Sequence, residues 1–304
     1  MSDLSPMVNV DGEITPMSDA TIPVMDRGFL YGDSVYEVFR THQGVPLFMN
    51  DHFERLENSA GVISMEISQS REQLVDQIRT AVQATGATRN DDLYVRYQIT
   101  RGVGAIDLYP GEGQRTTSVI IVKSAPVWNP DFYRRGLSMA IPRVRRNPVD
   151  SLDPNIKGGN YLNNVIAVTQ ARQLGADDCV MLDSEDYVTE SGNSNIWFMI
   201  DGELKTPGAG NLRGLTKKHL HIALAGAGVS SIEVPVHVGD IARASECFVT
   251  SATREVMPCL SLRLEDGSDV MFPEGGGQVT RQARTAFKAY LHEYIAAHEE
   301  DRLV

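Results

Sequence analysis

A primary amine followed by residues with almost no bulk is the first feature that could do chemistry. Lys157 stands in Asp153-Pro154-Asn155-Ile156-Lys157-Gly158-Gly159-Asn160-Tyr161-Leu162, just before two glycines, an asparagine and a phenol. Glycines let a polar group come close to the amine, and a lysine amine can form a Schiff base with a carbonyl compound. The chain has 22 arginines and only six lysines, so a merely basic position would more often be arginine. Taken alone, Lys157 still reads more simply as a loop lysine in water.

Four other segments supply what such an amine would need. Thr189-Glu190-Ser191-Gly192-Asn193-Ser194-Asn195 sets one carboxylate among hydroxyls and amides. There it can stay ionised and hold a protonated ring nitrogen, although the same residue types also make ordinary turns. Leu212-Arg213-Gly214-Leu215-Thr216 is a glycine turn opening a helix, and free N–H groups at a helix start suit a phosphate. Thr250-Ser251-Ala252-Thr253-Arg254-Glu255 follows an apolar run. It either adds N–H and O–H donors for the same anion or simply ends a strand. Arg55, in Asp51-His52-Phe53-Glu54-Arg55-Leu56, can give a phosphate two parallel hydrogen bonds or pair with Asp51 one turn earlier. A carbonyl-reactive amine, a partner for a pyridinium and several phosphate donors are together the needs of pyridoxal 5'-phosphate, PLP.

These residues must be positioned by regular elements. Asp11-Gly12, between 7–10 and 13–15, is a two-residue hairpin signal, and Asp201-Gly202, between 195–200 and 203–206, is a second. Asn50 is expected to cap a helix from Asp51, with Phe53 and Leu56 on its apolar face; Ser70 caps another carrying Leu74, Ile78 and Val82 up to Gly86. Runs 93–100 and 117–122 read as strands, the second apolar enough to be central. Pro126-Val127-Trp128-Asn129-Pro130 breaks the pattern, so an interdomain loop is placed at 126–133, between domains 1–125 and 134–304. Beyond it, 137–141 is strand-like and a loop rich in arginine and proline leads to Lys157. Asn160 is expected to cap a helix burying Leu162, Val165, Ile166 and Leu174, ended by Gly175. Strands are expected at 179–182, 187–189 and 246–250, a helix capped by Thr216 to about 225, and a C-terminal helix marked by Ala283, Phe287, Leu291 and Ile295.

The whole chain sets limits. Its 304 residues suffice for two domains. A formal net charge of -12 argues against nucleic acid as partner. No apolar run approaches the ~20 residues of a membrane helix, and Met1-Ser2-Asp3-Leu4-Ser5 shows no secretion signal. Cys179, Cys247 and Cys259 lack metal-ligand spacing and suit a reducing, cytoplasmic setting.

In order along the chain, Asp26-Arg27-Gly28 with Tyr31-Gly32-Asp33-Ser34-Val35-Tyr36-Glu37, then Phe53-Glu54-Arg55-Leu56, the Lys157 segment to Asn164, 188–196, 212–216 and 250–255 form six motifs. Together they resemble the fold type IV PLP enzymes, the class IV aminotransferases that include branched-chain and D-amino-acid aminotransferases. The resemblance implies an α/β (α+β) fold with a small N-terminal α/β domain and a larger C-terminal domain with a mixed, β-barrel-like core. It implies that Lys157 bonds PLP and shuttles a proton between substrate Cα and cofactor C4', and that Glu190 keeps the ring nitrogen protonated. Tyr161 would hydrogen-bond the ring's phenolic oxygen. Arg55, Leu215, Thr216, Ser251 and Ala252 would hold the phosphate, the leucine and alanine through backbone N–H, and Asn195 completes the cofactor set. Ala252 stands where D-amino-acid aminotransferases tend to have threonine and branched-chain ones alanine.

The same resemblance assigns Tyr36, Arg40, Tyr94, Arg96 and Thr253 to the substrate. Tyr94-Val95-Arg96 is similar to the tyrosine-x-arginine strand of branched-chain enzymes, whereas 35–38 and 98–102 look closer to the D-amino-acid enzymes. Ala105-Ile106-Asp107-Leu108-Tyr109-Pro110 lacks the arginine and histidine with which the latter hold a substrate carboxylate; Arg40 is a substitute, or else a strand-end arginine. Transamination of apolar L-amino acids with a 2-oxo acid such as 2-oxoglutarate, by a homodimer or higher homo-oligomer, is the reading favoured. D-amino-acid or (R)-amine transamination and an aminodeoxychorismate-lyase-like elimination stand as alternatives.

Overall fold

Two Asp-Gly pairs turn the chain back where the sequence places them, because both residues of such a turn need positive φ. Asp11 and Gly12 have φ 49° and 97°, and Asp201 and Gly202 have 53° and 82°. The structure, a computed structural model, describes residues 4–304. Residues 1–3, on which the reading of no secretion signal partly rests, lie outside the described residues. Two compact units account for the chain: Met1–Pro126 with Ile156–Asn160 and Glu293–Val304, and Val127–Asn155 with Tyr161–His292.

The first unit contains β1 (Met7–Val10), β2 (Glu13–Pro16), α1 (Arg27–Tyr31), β3 (Ser34–His42) and β4 (Val45–Pro46). It continues with α2 (Met49–Val62), α3 (Arg71–Ala84), β5 (Leu93–Thr100) and β6 (Thr117–Ser124). Its antiparallel sheet runs β2-β1-β6-β5-β3-β4, so β6 is interior as its apolar run suggests. The core is Val35, Phe39, Val95, Tyr97 and Ile120 from the sheet with Phe53, Leu56, Leu74 and Ile78 from α2 and α3. Ser70 caps α3 with a full capping box. Asn50 does not cap α2: the helix starts at Met49 behind Phe48, whose N–H is taken by the Tyr294 hydroxyl at 3.1 Å. A tertiary contact has replaced the local cap.

The second unit contains α4 (Pro130–Arg134), β7 (Leu137–Ala140), α5 (Leu162–Gln173), β8 (Asp178–Leu182), β9 (Val188–Ser191), β10 (Asn195–Ile200) and β11 (Glu203–Thr206). Then come α6 (Leu215–Gly226), β12 (Ser231–Glu233), β13 (Ala244–Ser251), β14 (Glu255–Arg263), β15 (Asp269–Met271) and α7 (Gln278–Ala297), whose residues from Glu293 on are assigned to the first unit. The sheet β12-β11-β10-β13-β14-β7-β8-β9, with β15 on β14, is mixed and curls into a half-barrel. Leu137, Val180, Phe198, Val249 and Met257 fill its core. Ala283, Phe287, Leu291 and Ile295 are all buried, as the C-terminal period requires.

Two helix starts and one helix face differ from expectation. Asn160 does not cap α5, which begins at Leu162 with no side-chain cap. Thr216 lies inside α6, which is preceded by Gly214. The face of α5 is inverted: Leu162, Val165, Ile166 and Leu174 are exposed, and Asn164, Ala167 and Ala171 are buried. Small residues from both sides meet there, Ala167 and Ala171 against Ala140, Ala176 and Cys179. Close approach of helix and sheet needs small side chains, and Asn164 is satisfied by donating to the Gly192 carbonyl at 3.0 Å. No helix among the described residues is long and apolar enough to cross a membrane. Ala167→Leu is expected to cost about 1–3 kcal/mol by overpacking, whereas Val165→Ser stays within about 0.5 kcal/mol. Denaturant unfolding of both variants checks the order, and the reverse order would restore the face that the sequence pattern suggests.

Candidate active site

Main-chain bonds tie Lys157 to the first sheet. Tyr36 N–H donates to the Lys157 carbonyl at 2.9 Å, Gly159 N–H to the Ser34 carbonyl at 2.9 Å, and Lys157 N–H to the Ser59 hydroxyl at 3.2 Å. The glycines serve this contact: a Cβ at Gly159 would overlap the Ser34 hydroxyl, and one at Gly158 would crowd the Ser34 carbonyl. They let the segment lie against β3, a role the sequence alone does not disclose. The Lys157 side chain is half-buried, and Nζ donates to the Tyr36 hydroxyl at 3.4 Å.

Residues paired across an antiparallel ladder share a face of the sheet. The pairs Tyr36–Gln98, Val38–Arg96 and Arg40–Tyr94 therefore put Tyr36, Arg40, Tyr94 and Arg96 on one side. The Arg96 guanidinium lies 3.7 Å over the Tyr36 ring and donates to Gln98 Oε1 at 2.8 Å, and Gln98 donates to the Ser34 hydroxyl at 2.9 Å. Burial raises the Tyr94 hydroxyl's pKa against the opposing charge of Arg96, so it stays a neutral phenol. Arg40 is drawn to Asp92 at 2.9 Å. The structure thus joins Lys157, Tyr36 and Arg96, and gives Arg40 a carboxylate of its own.

On the opposite side of β3, Glu37 is fully buried between Val35 and Phe39. Arg55 Nε and Nη2 donate to its two oxygens at 2.6 and 2.7 Å, and His52 Nδ1 lies 2.7 Å away. Burial pushes the Glu37 carboxyl up, but the charges and hydrogen bonds of Arg55 and His52 outweigh it and hold it well below the usual range. Burial also pushes His52 below 6.5, against the pull of Glu37, so its ring is neutral at pH 7. Arg55 is therefore oriented by Glu37, a buried partner on the sheet that the helix spacing does not announce.

In the second unit, Glu190 stands near the end of β9 itself, where the sequence suggested a loop. Arg146 Nη2 pairs with Oε1 at 2.9 Å and Leu212 N–H donates to Oε2 at 3.2 Å, both of which suit a charged carboxylate. Asn195 Nδ2 donates to the Leu212 carbonyl at 2.9 Å, and a Cβ at Gly214 would overlap the Asn195 side-chain oxygen. Gly214, not Thr216, precedes the helix because Asn195 fills that space. Glu190 and Asn195 together hold the turn that delivers Leu215 and Thr216, whose N–H groups open α6 without internal partners. Tyr161 immediately precedes α5. The Ser251 hydroxyl accepts the Arg254 N–H at 3.3 Å, closing a turn that contains Ala252 and Thr253.

Sequence reasoning left out Glu37, His52, Arg146, Asp178 and Arg254. Glu37 alternates with Val35 and Phe39, which marks a carboxylate on a buried face, and Arg146 belongs to the arginine-rich stretch 143–146. Nothing in the sequence pairs Asp178 with the distant Arg254.

The sequence matches the family described as amino-transferase class IV over residues 34–262. A Methanocaldococcus jannaschii protein provisionally named a branched-chain-amino-acid aminotransferase is 31% identical over 284 residues, 92% of this chain and 95% of its own length. The D-alanine aminotransferase of Listeria monocytogenes is 30% identical over 296 residues, 95% and 94% of the two chains. The branched-chain aminotransferase of the thermophilic archaeon Thermoproteus uzoniensis, solved with norvaline, has a TM-score of 0.84 over 96% of this chain and 98% of that one, at 25% identity.

The His52–Glu37 pair sets a pH dependence of stability. Below 6.5 the unfolded chain protonates His52 while the folded chain resists, so the unfolded state binds more protons and stability falls with falling pH. Glu37 adds a second loss below about 4.5, where only the unfolded carboxyl takes up a proton. Melting temperature should therefore decline from pH 6.5 downward, and His52→Gln should flatten the decline between about pH 6.5 and 5. An unchanged slope in that variant would remove His52 as the cause.

Proposed function

The chain belongs to the class IV aminotransferases, which work with PLP, and we propose that it moves amino groups from apolar L-amino acids to a 2-oxo acid such as 2-oxoglutarate. The residues fit the cofactor in kind: an amine, a carboxylate already paired with Arg146, and cationic and N–H donors for a phosphate. When bound, PLP supplies an aldehyde and a ring that takes up the electron pair left at the substrate's Cα. Lys157 would hold the aldehyde through its Nζ, and the same amine would serve as the base that moves a proton at the substrate's Cα. The Tyr36 hydroxyl beside Nζ limits where the amine can go. Glu190 would hold a proton on the ring nitrogen, and Tyr161 would donate to the phenolic oxygen. Arg55, Ser251 and the N–H groups of Leu215, Thr216 and Ala252 would take the phosphate, while Asn195 keeps the 212–214 turn in place. Tyr94 and Thr253 border the substrate.

One observation favours an amino acid over a simple amine as donor, and the branched-chain relatives favour the apolar L-series. Arg96 lies over the ring of the tyrosine whose hydroxyl meets Lys157 Nζ, so a guanidinium for a carboxylate is next to the reactive amine. Arg40, occupied by Asp92, is the second candidate for that role. The D-alanine aminotransferase relative supports a second reading, transamination of D-amino acids. The proposal includes a homodimer or higher homo-oligomer in the cytoplasm, which the three free, buried cysteines suit.

A half-reaction screen decides between the readings. The yellow holoenzyme is mixed separately with L-leucine, D-alanine and (R)-1-phenylethylamine, and the visible band is followed. L-Leucine is expected to bleach it, and bleaching by D-alanine alone would overturn the substrate assignment. Lys157→Ala should lower turnover by at least ~10²–10⁴-fold, the range general acid–base groups supply, with circular dichroism unchanged. Retained transamination in that variant would sink the role given to Lys157.

A further inference from the structure

A buried arginine ties the Ser251 turn to the hairpin that carries Glu190. Arg254 is 7% exposed. Its Nη1 pairs with Asp178 Oδ2 at 2.7 Å and donates to the Ser194 hydroxyl at 2.9 Å, and the guanidinium lies 4.8 Å over the Trp128 ring. Its own backbone is fixed as firmly. The N–H donates to the Ser251 hydroxyl at 3.3 Å, the carbonyl accepts from the Tyr133 hydroxyl at 3.0 Å, and the preceding Thr253 carbonyl accepts from Trp128 Nε1 at 2.9 Å. A rigid backbone at one end and a charged fork at the other make Arg254 a strut.

Its far end reaches the turn that follows Glu190. Ser191 N–H donates to the Ser194 carbonyl at 2.8 Å, closing that turn directly after Glu190. Asp178 opens β8, on which Met181 pairs with Glu190, and its carboxylate lies against Gly192, where a Cβ would crowd both Asp178 and Val168. Both partners meet the one nitrogen, Nη1, so the guanidinium holds Asp178 and Ser194 together at a fixed point.

We propose that Arg254 is a positioning residue, which sets the Glu190 hairpin and the Ser251 turn at a fixed separation so that ring nitrogen and phosphate are held together. This rests on the cofactor roles given above to Glu190 and Ser251. Without the strut, the Glu190 carboxylate holds the ring-nitrogen proton less firmly. A second positive charge on the cofactor's nitrogen at Lys157 is then less disfavoured, and the pH midpoint of the visible band moves up.

The test uses the holoenzyme and the apo chain. Arg254→Met is expected to raise the PLP dissociation constant at least tenfold and to shift the band midpoint upward, and Ser194→Ala, which removes one contact, to move the midpoint the same way by less. Arg263→Met, which removes an exposed pair with Asp269 on the same strand as Glu255, serves as control and should move neither. A lower apo melting temperature with dissociation constant and midpoint unchanged would make Arg254 purely structural and overturn the proposal. If Arg254→Met does not fold, an unmoved midpoint in Ser194→Ala overturns it equally. Lys157→Ala separates the two levels: a band that still titrates with pH there defeats the cofactor reading itself, whereas loss of that titration beside unmoved Arg254→Met values defeats only the strut.

Discussion

A charge buried under a sheet must be answered by a charge from the neighbouring layer, because losing water costs more than any single hydrogen bond returns. Glu37 is the clearest case. It sits on the core face of β3 with no exposed surface, and α2 answers it with the charge of Arg55 and a hydrogen bond from His52, three residues apart on one helix face. Glu190 is answered by Arg146 and Asp178 by Arg254, each pair nearly buried. These pairs do not make the fold more stable than apolar packing would. They define direction, most firmly where Arg55 grips both Glu37 oxygens, since a bidentate guanidinium has few ways to lie.

That constraint explains which parts of the molecule the sequence discloses. Hairpins at Asp11-Gly12 and Asp201-Gly202, the capping box at Ser70 and the period of Ala283, Phe287, Leu291 and Ile295 are local rules obeyed locally. Lys157 and Glu190 could be singled out because their neighbours are unusual within a few positions. The partners that orient the site come from farther along the chain, 15 positions for Glu37 and His52 and 60 for Ser194 and Arg254, and single-sequence patterns carry no such pairing. The starts of α2 and α6 failed for the same reason: Tyr294 and Asn195 reach in from elsewhere and displace the local cap.

The inverted face of α5 has a different origin. A rule that buries the largest apolar residues assumes that helix and sheet stand a full side chain apart. Here Ala167 and Ala171 meet Ala140 and Cys179, so the separation is set by methyl groups and the large residues are turned outward. The same closeness brings Asn164 to the Gly192 carbonyl, next to the Glu190 hairpin. Small residues on this helix are thus part of how the carboxylate is placed, a role invisible to hydrophobicity alone.

Two separate sets of polar contacts fall on opposite faces of β3. Glu37 points inward, where changing it would disturb Arg55, His52 and the packing of Phe39. Tyr36 and Arg40 point the other way, alongside Arg96 and Tyr94, in contacts made by rings and guanidinium groups rather than by a packed core. Alternation along a strand separates the two sets at single-residue spacing. Residues on the Tyr36 face can therefore change without repacking the inside. On the proposed roles, the phosphate arginine is braced from one face and the donor is met on the other, which would let one scaffold keep its cofactor contacts while its donor varies.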